Sequence, residues 1–185
     1  MCSHPGYERQ VNKQSGQIHV IVVGYGLVGQ TVVRLLMEND ICPTILELNV
    51  QTVQSLRSQG YRTIYGDAAR INTLTDAGIT DAHALVLSVS DVKGESEIIR
   101  QARELNPHIR IIARTTYMSN RQNLIAAGAD VIFTDEGEVA LSVTEMILKQ
   151  FGATPDQINR ERQRVHESFY ESFFPTPPQA KKEET

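Results

Sequence analysis

Ile18-His19-Val20-Ile21-Val22-Val23-Gly24-Tyr25-Gly26-Leu27-Val28-Gly29 decides the fold. Its first half is an apolar, β-branched run, which reads as a strand buried on both faces. Its second half is G-x-G-x-x-G, opening a helix. In that setting Gly24 permits a tight turn and Gly26 lets the backbone approach a pyrophosphate. Gly29 lets the helix pack close to the strand, so that the helix N-terminus faces the anion. The motif alone is a weak signal. Here it sits between a strand and a helix, and Glu47 stands 23 residues beyond Gly24. That is close to the ~20 residues expected for a carboxylate that holds an adenosine ribose.

The rest of the chain sets bounds on this reading. Its 185 residues suffice for one ordinary domain with extensions. Hydrophobic residues make up 41% and charged residues 22%, which allows a packed core in a soluble protein. A net charge of −4 gives no electrostatic case for nucleic acid or for anionic membranes. Cys2 and Cys42 make no metal-ligand pattern and no disulfide framework, so a reducing cytosol is the default. No apolar stretch approaches the ~18–20 residues of a membrane span. Residues 1–16 lack the apolar core of a signal peptide and read as a linker or disordered lead-in. The chain is expected to be a soluble cytosolic module, and a piece cut from a membrane protein fits equally well.

From residue 17 onward, strand-like and helix-like runs alternate. The strand-like runs are 18–23, 43–47, 61–65, 84–89, 109–113 and 131–134. Helix-like runs lie near 27–38, 50–58, 70–77, 95–105 and 119–127, with Asn39, Gly60, Gly78 and Gly128 as C-terminal stops. In the first helix Val28, Val32, Leu35 and Leu36 share one apolar face. Six strands alternating with helices predict an α/β fold: a Rossmann-like, doubly wound, six-stranded parallel sheet with helices on both faces, plus C-terminal helices. The nucleotide-binding domain is placed at 17–152.

Residues 136–150 read as a further helix. Val139, Val143, Met146 and Ile147 make one apolar face, and Ala140, Leu141 and Leu148 extend it around the rest. A helix apolar on most sides needs two partners. It is either buried within its own monomer or, the reading preferred here, packed also on a second subunit. Thr154-Pro155-Asp156-Gln157 starts another helix, with Thr154 as N-cap and Gln157 completing a capping box. This charged segment, 153–174, ends in Phe169, Tyr170, Phe173 and Phe174, which fold back onto the domain or dock on a partner. Residues 175–185 read as a disordered tail.

In an open α/β sheet, ligands bind outside the carboxyl ends of the strands. At the first end, the backbone of Gly24, Tyr25, Gly26, Leu27, Val28 and Gly29 should face a phosphate. Glu47, followed by Leu48, can accept both ribose hydroxyls and would repel a 2′-phosphate, with Asn49 as a weaker second ribose contact. Asp67 and Ala68 can flank an adenine ring. Asp67 either accepts from the adenine amine or caps the following helix. Ser88, Val89 and Ser90 lie beside the phosphates or a second nucleoside, or else make a capping turn. Arg114 suits a phosphate or carboxylate, or makes a structural ion pair. Asp135, Glu136 and Glu138 cap the next helix or hold a cation, and capping is the better account.

A hydride-transfer enzyme also needs a substrate domain and an acid/base residue facing the nicotinamide. Neither is visible. His19, His83 and His108 lie in or before strands, and His4 and His166 lie in the extensions. The expectation is a sheet that binds a nucleotide and reports it, without catalysis. The alternative is a small NAD-dependent dehydrogenase of Rossmann type.

The glycine motif, Glu47, Gly66-Asp67-Ala68, Ala84-Leu85-Val86 and Ile111-Ile112-Ala113-Arg114 together resemble the regulator-of-potassium-conductance N-terminal domain, also called TrkA-N or KTN. The resemblance covers roughly residues 17–150. The glycine motif followed by Gln30, the Tyr65–Arg70 stretch and Arg121-Gln122-Asn123-Leu124 with Gly128 resemble the cytosolic C-terminal domains of Kef-type and related cation/proton antiporters. What this resemblance implies is a homodimer that binds an adenine nucleotide (NAD(H), AMP, ADP or ATP). It would lie at the cytoplasmic face of the membrane and gate a monovalent cation (K+ or Na+)/proton antiporter or K+ transport system. The membrane-embedded transporter domain would be in the same or another chain. Many free-standing regulators carry a further ligand domain for which this chain has no room, so the resemblance favours an antiporter tail. Glutathione-gated members are similar in placing a basic residue in the glycine loop, where this chain has Leu27. Arg114 matches a glutathione-binding arginine, yet with one basic group absent the resemblance gives no case for glutathione control. Glu47 stands where Asp is usual and keeps the charge.

Overall fold

Alternating β-branched runs and capped helices give, in the computed structural model, a chain described over residues 18–90 and 94–170, with 166–170 as backbone only. The expected lead-in, the tail, Phe173 and Phe174 lie outside the described residues, as do the side chains of Phe169 and Tyr170. Two units are distinguished, one ending at Asp135 and the other beginning at Glu136.

In the first unit the strands are β1 (Val20–Val23), β2 (Thr44–Glu47), β3 (Thr63–Tyr65), β4 (Ala84–Leu87), β5 (Arg110–Thr115) and β6 (Val131–Thr134). The helices are α1 (Leu27–Glu38), α2 (Val50–Ser58), α3 (Ile71–Asp76), α4 (Glu95–Leu105) and α5 (Arg121–Ala127). Single 3₁₀ turns at Ile79–Asp81 and Met118–Asn120, not foreseen from the sequence, precede β4 and α5. The strands form one sheet in the order β3-β2-β1-β4-β5-β6, and every neighbouring pair is parallel. The Rossmann-like class read from the sequence is therefore correct.

All four residues of β1 are buried, because β1 lies between β2 and β4 and is covered on both faces. Val20 and Val22 pack with Val33 of α1, Ile45 of β2 and Leu56 of α2. Alternation along the strand turns Ile21 and Val23 to the opposite face, where the long connection from β3 to β4 and the helices α4 and α5 run. Leu74, Ile98, Ile99, Ile111 and Leu124 are all but fully buried. Each such side chain contributes about 1.5–3 kcal/mol through removal from water. Gly128 ends α5 with a φ of +107°, the left-handed conformation that glycine takes without strain.

At the amino edge of the sheet, the His19 ring Nε2 lies 3.0 Å from the hydroxyl of buried Thr44, and the His19 backbone N–H donates to His83 Nδ1 at 3.1 Å. Burial, then Arg62 and His83, push the His19 pKa below its ordinary 6.5, and Asp81 opposes them. A depressed histidine pKa means that the unfolded chain takes up the proton first as pH falls. Stability should therefore be full above pH 6.5 and decline below it. Urea midpoints at neutral and mildly acidic pH, for the wild type and His19→Gln, should show part of the acid loss missing in the variant. Equal losses in both proteins would remove His19 from that account.

The second unit carries α6, which starts at Asp135 and runs to Gln150, and α7 (Pro155–Tyr170). The capping box read from the sequence forms: Gln157 N–H donates to Thr154 Oγ1 at 3.3 Å, and Thr154 N–H donates to Gln157 Oε1 at 2.8 Å. Arg162 pairs with Glu145, linking α7 to α6. On α6, Val139, Val143, Met146 and Ile147 are all more than half exposed, and Phe151 just beyond its end is 85% exposed.

Candidate functional site

Because all six strands are parallel, the loops that follow them gather at one edge of the sheet. Between β1 and β4 the winding reverses direction, which opens the crevice where such folds take ligands. The glycine loop stands at this place.

Three separate ties fix the loop. Gly24 N–H donates to Leu46 O at 2.8 Å, and Tyr25 N–H donates to Glu47 Oε2 at 2.8 Å. The third comes from the residue after β4: the hydroxyl of buried Ser88 lies 2.9 Å from Val23 O and 3.1 Å from Gly24 O. Gly24 has a φ of +89°, and a Cβ there would overlap Val89. A Cβ on Gly29 would overlap the Gly24 carbonyl and lie 2.7 Å from Ser88 Oγ. The fold itself therefore demands glycine at both positions.

Gly26 differs. It is the N-cap of α1, with an ordinary φ of −72°, and nothing lies within 4 Å of where its Cβ would be. No side chain caps α1, and its first turn holds no acidic residue. The first N–H groups of any helix lack intrahelical partners and carry the positive end of its dipole. Leu27, 82% exposed, and Val28 flank them. This arrangement can receive an anion at the backbone. The Tyr25 ring turns away into the core beside Tyr61, with centroids 6.3 Å apart. Burial first, and then Tyr61, raise its pKa. Only the Tyr25 backbone belongs to the loop.

Glu47 stands at the end of β2 with both carboxylate oxygens in use. Oε2 accepts from Tyr25 N–H and Oε1 accepts from Asn49 N–H, each at 2.8 Å. A carboxylate oxygen has room for a second donor, so ribose hydroxyls can still be accepted. Leu48 is exposed beside it. Asn49 caps α2, its side chain accepting from Thr52 N–H at 3.0 Å. Asp67 Oδ1 accepts from Ala69 N–H at 2.9 Å, so it shapes the turn before α3, whose N-cap is Arg70. Ala68 is buried and offers a ligand little more than its backbone.

The carboxyl ends of β4, β5 and β6 carry the remaining residues. Arg114 forks onto Asp135, with Nε donating to Oδ1 at 2.7 Å and Nη2 to Oδ2 at 2.6 Å. Its Nη1 donates to Ser88 O at 3.2 Å. Of the two readings of Arg114, the structure shows the ion pair. Asp135 is thus engaged by Arg114 rather than serving only to cap α6. Ser90 lies against Thr116, their hydroxyls 3.3 Å apart, while Val89 backs Gly24. Ser88 is a support of the loop, which its polar neighbours in sequence did not reveal. Thr116 was missed. The signal that could have found it is the parallel register, which pairs Thr115 with Thr134 and so sets Thr116 level with Asp135. Among the described residues no group of acidic, histidine or cysteine side chains could hold a metal ion.

The fold recurs in known proteins. The TrkA-N domain of the inner membrane protein YbaL from Escherichia coli is 32% identical, covering 69% of this chain and 95% of that one, with a TM-score of 0.67. The C-terminal domain of Kef from Shewanella denitrificans, described in its AMP-bound form, is 25% identical over 82% of this chain and 97% of that one, also with a TM-score of 0.67. The GsuK channel bound to NAD shares the fold alone, at 18% identity over 66% of this chain and 22% of that one, with a TM-score of 0.57. The pattern of the TrkA-N domain matches residues 20–135, from the first residue of β1 to the aspartate that Arg114 holds. With the glycine loop, Glu47 and the six-stranded order all inside that match, the chain belongs to the TrkA-N domain family.

Proposed function

We propose that this chain is the adenine-nucleotide-sensing regulatory domain of a monovalent cation (K+ or Na+)/proton antiporter or K+ transport system, acting at the cytoplasmic face of the membrane and not as an enzyme. The observation that carries the reading is Gly26. The backbone there is ordinary and the space is open, so neither strain nor crowding demands glycine, whereas close approach of a phosphate to the uncapped start of α1 does. Glu47 supports it, since its carboxylate is held beside the loop by two N–H groups and would repel a 2′-phosphate. The AMP-bound Kef relative supports the choice of adenine nucleotide. In this reading the backbone from Gly24 to Gly29 takes the phosphate, Glu47 the ribose, and Asp67 and Ala68 the adenine side.

The apolar row on α6 supports a homodimer, because a second copy would remove Val139, Val143, Met146 and Ile147 from water. The dimer would report to a membrane-embedded domain in the same or another chain. Nucleotide would act by preferring one dimer geometry. Among the described residues no helix is long and apolar enough to cross a membrane.

The test is thermal unfolding with NAD, NADH, AMP, ADP, ATP and NADPH. A ligand at about 100 times its Kd stabilises by ~2.7 kcal/mol, a shift of several degrees. Gly26→Ala should unfold at the wild-type temperature when ligand-free and lose that shift. A Gly26→Ala protein that keeps the full shift would remove the loop from the site. No shift with any nucleotide in the wild type would leave a dimerising scaffold.

A further inference from the structure

The geometry points to a second role for Asp135. We propose that its clasp on Arg114 is a built-in competitor for ligand phosphates, so that the site favours adenosine monophosphate over the triphosphate. The inference rests on the nucleotide reading above and adds its selectivity.

Gly24, Ser88, Arg114 and Asp135 form one continuous hydrogen-bonded chain. The Ser88 hydroxyl reaches Gly24 O at 3.1 Å, and Arg114 Nη1 reaches Ser88 O at 3.2 Å. The fork to Asp135 then closes at 2.7 and 2.6 Å, and the Thr116 hydroxyl lies 3.5 Å from the same carboxylate. Ser88 and Val89 support the glycine loop directly. The loop is thus joined to the guanidinium through the single residue Ser88.

The first phosphate is served by backbone N–H groups and needs no side-chain cation. Further phosphates that leave the loop across the ends of β4 and β5 meet Arg114 next. Its planar fork is the part that recognises phosphate, and Asp135 already fills that fork with a carboxylate of matching geometry. A phosphate that displaced Asp135 would leave this carboxylate beside a polyanion without its cation. With the clasp closed, the pair is neutral and attracts no extra phosphate. Either way, added phosphates gain little.

The experiment is calorimetric titration of the full chain with AMP and with ATP in metal-free buffer. The proteins are wild type, Asp135→Asn, Arg114→Gln and the double variant. Freed from its partner, Arg114 in Asp135→Asn should raise the ATP-to-AMP affinity ratio about tenfold. In Arg114→Gln the uncompensated carboxylate should lower that ratio, and the double variant should return towards the wild type. Loss of a purely structural tie would move both nucleotides together and both single variants in the same direction, which would overturn the proposal. An Arg114→Gln protein that loses AMP and ATP affinity equally and strongly would also overturn it, by placing Arg114 on the first phosphate. If the wild type binds neither nucleotide, the nucleotide reading itself fails and the clasp proposal falls with it. If the wild type binds and the ratio stays fixed in every variant, only the clasp proposal fails.

Discussion

Gly29→Ala should lower the thermal midpoint by roughly 6–12 °C, equivalent to about 3 kcal/mol in a chain of this size. The reason is the rigidity of what the new methyl would meet. One neighbour is the Gly24 carbonyl, which is backbone. The other is the Ser88 hydroxyl, at 2.7 Å, itself buried and tied to Val23 O and Gly24 O. Neither is the loose end of a flexible side chain, so either α1 shifts off β1 or the loop distorts. Gly26→Ala, three residues earlier in the same motif, should leave the ligand-free midpoint where it was. Differential scanning calorimetry of the two variants separates a glycine that packing demands from one that it does not. A midpoint for Gly29→Ala within ~2 °C of wild type would show that the loop yields more than its ties suggest.

Arg103→Ala should destabilise the first unit by about 2–3 kcal/mol, read as a lower urea midpoint with an unchanged slope. This arginine lies in the last turn of α4 and ties it both to the turn just beyond and to the segment at 128–130. Nη1 donates to Pro107 O at 3.0 Å and Ile109 O at 2.7 Å, while Nη2 donates to Gly128 O at 2.9 Å and Asp130 Oδ2 at 2.8 Å. Asp130 also accepts from Ile111 N–H at 2.6 Å, and losing Arg103 leaves it with that bond and the more distant Arg110, at 3.9 Å. The pair is about 30% exposed (29% for the arginine and 28% for the aspartate), so water recovers part of the loss, and the figure stays below that of a fully buried ion pair. Arg103→Lys keeps the charge without the fork and should restore less than half of the stability. Full restoration by lysine would show that charge alone matters there.

What could be read from the sequence was local. The first, second and fourth helices fell where their apolar spacing and stops placed them, at 27–38, 50–58 and 95–105. All six strands were found because β-branched runs between glycines leave few alternatives. Strand ends were less secure. Ile18 and His19 continue the apolar run yet lie outside β1, and β4 stops at Leu87, before Ser88. Thr154 and Gln157 could be paired because a capping box is written within four residues. The site divided along the same line. The glycine motif and Glu47 were legible because their spacing is a property of one βαβ unit. The pairing of Arg114 with Asp135 was not, because it depends on the register of β5 against β6. Ser88 was misleading, since a serine among serines and an aspartate reads as a polar rim. In fact it lies just past β4, where its hydroxyl reaches the Val23 and Gly24 carbonyls. Asp67 could not be assigned from sequence because an Asx turn and an adenine contact use the same atoms.

The place of β1 in the sheet bears on how the protein is made. Its final neighbour on one side, β4, is some sixty residues away in the chain, and so is Ser88. During translation the glycine motif and Glu47 leave the ribosome early, but β1 keeps an open edge until Ala84–Leu87 arrives, and the Gly24 carbonyl lacks its latch until Ser88 follows. Contacts of such long separation form slowly. The glycine loop is thus among the earliest segments synthesised and among the latest to be set. A truncated or stalled product that stops short of β4 carries the whole motif without the crevice that β1 and β4 form between them.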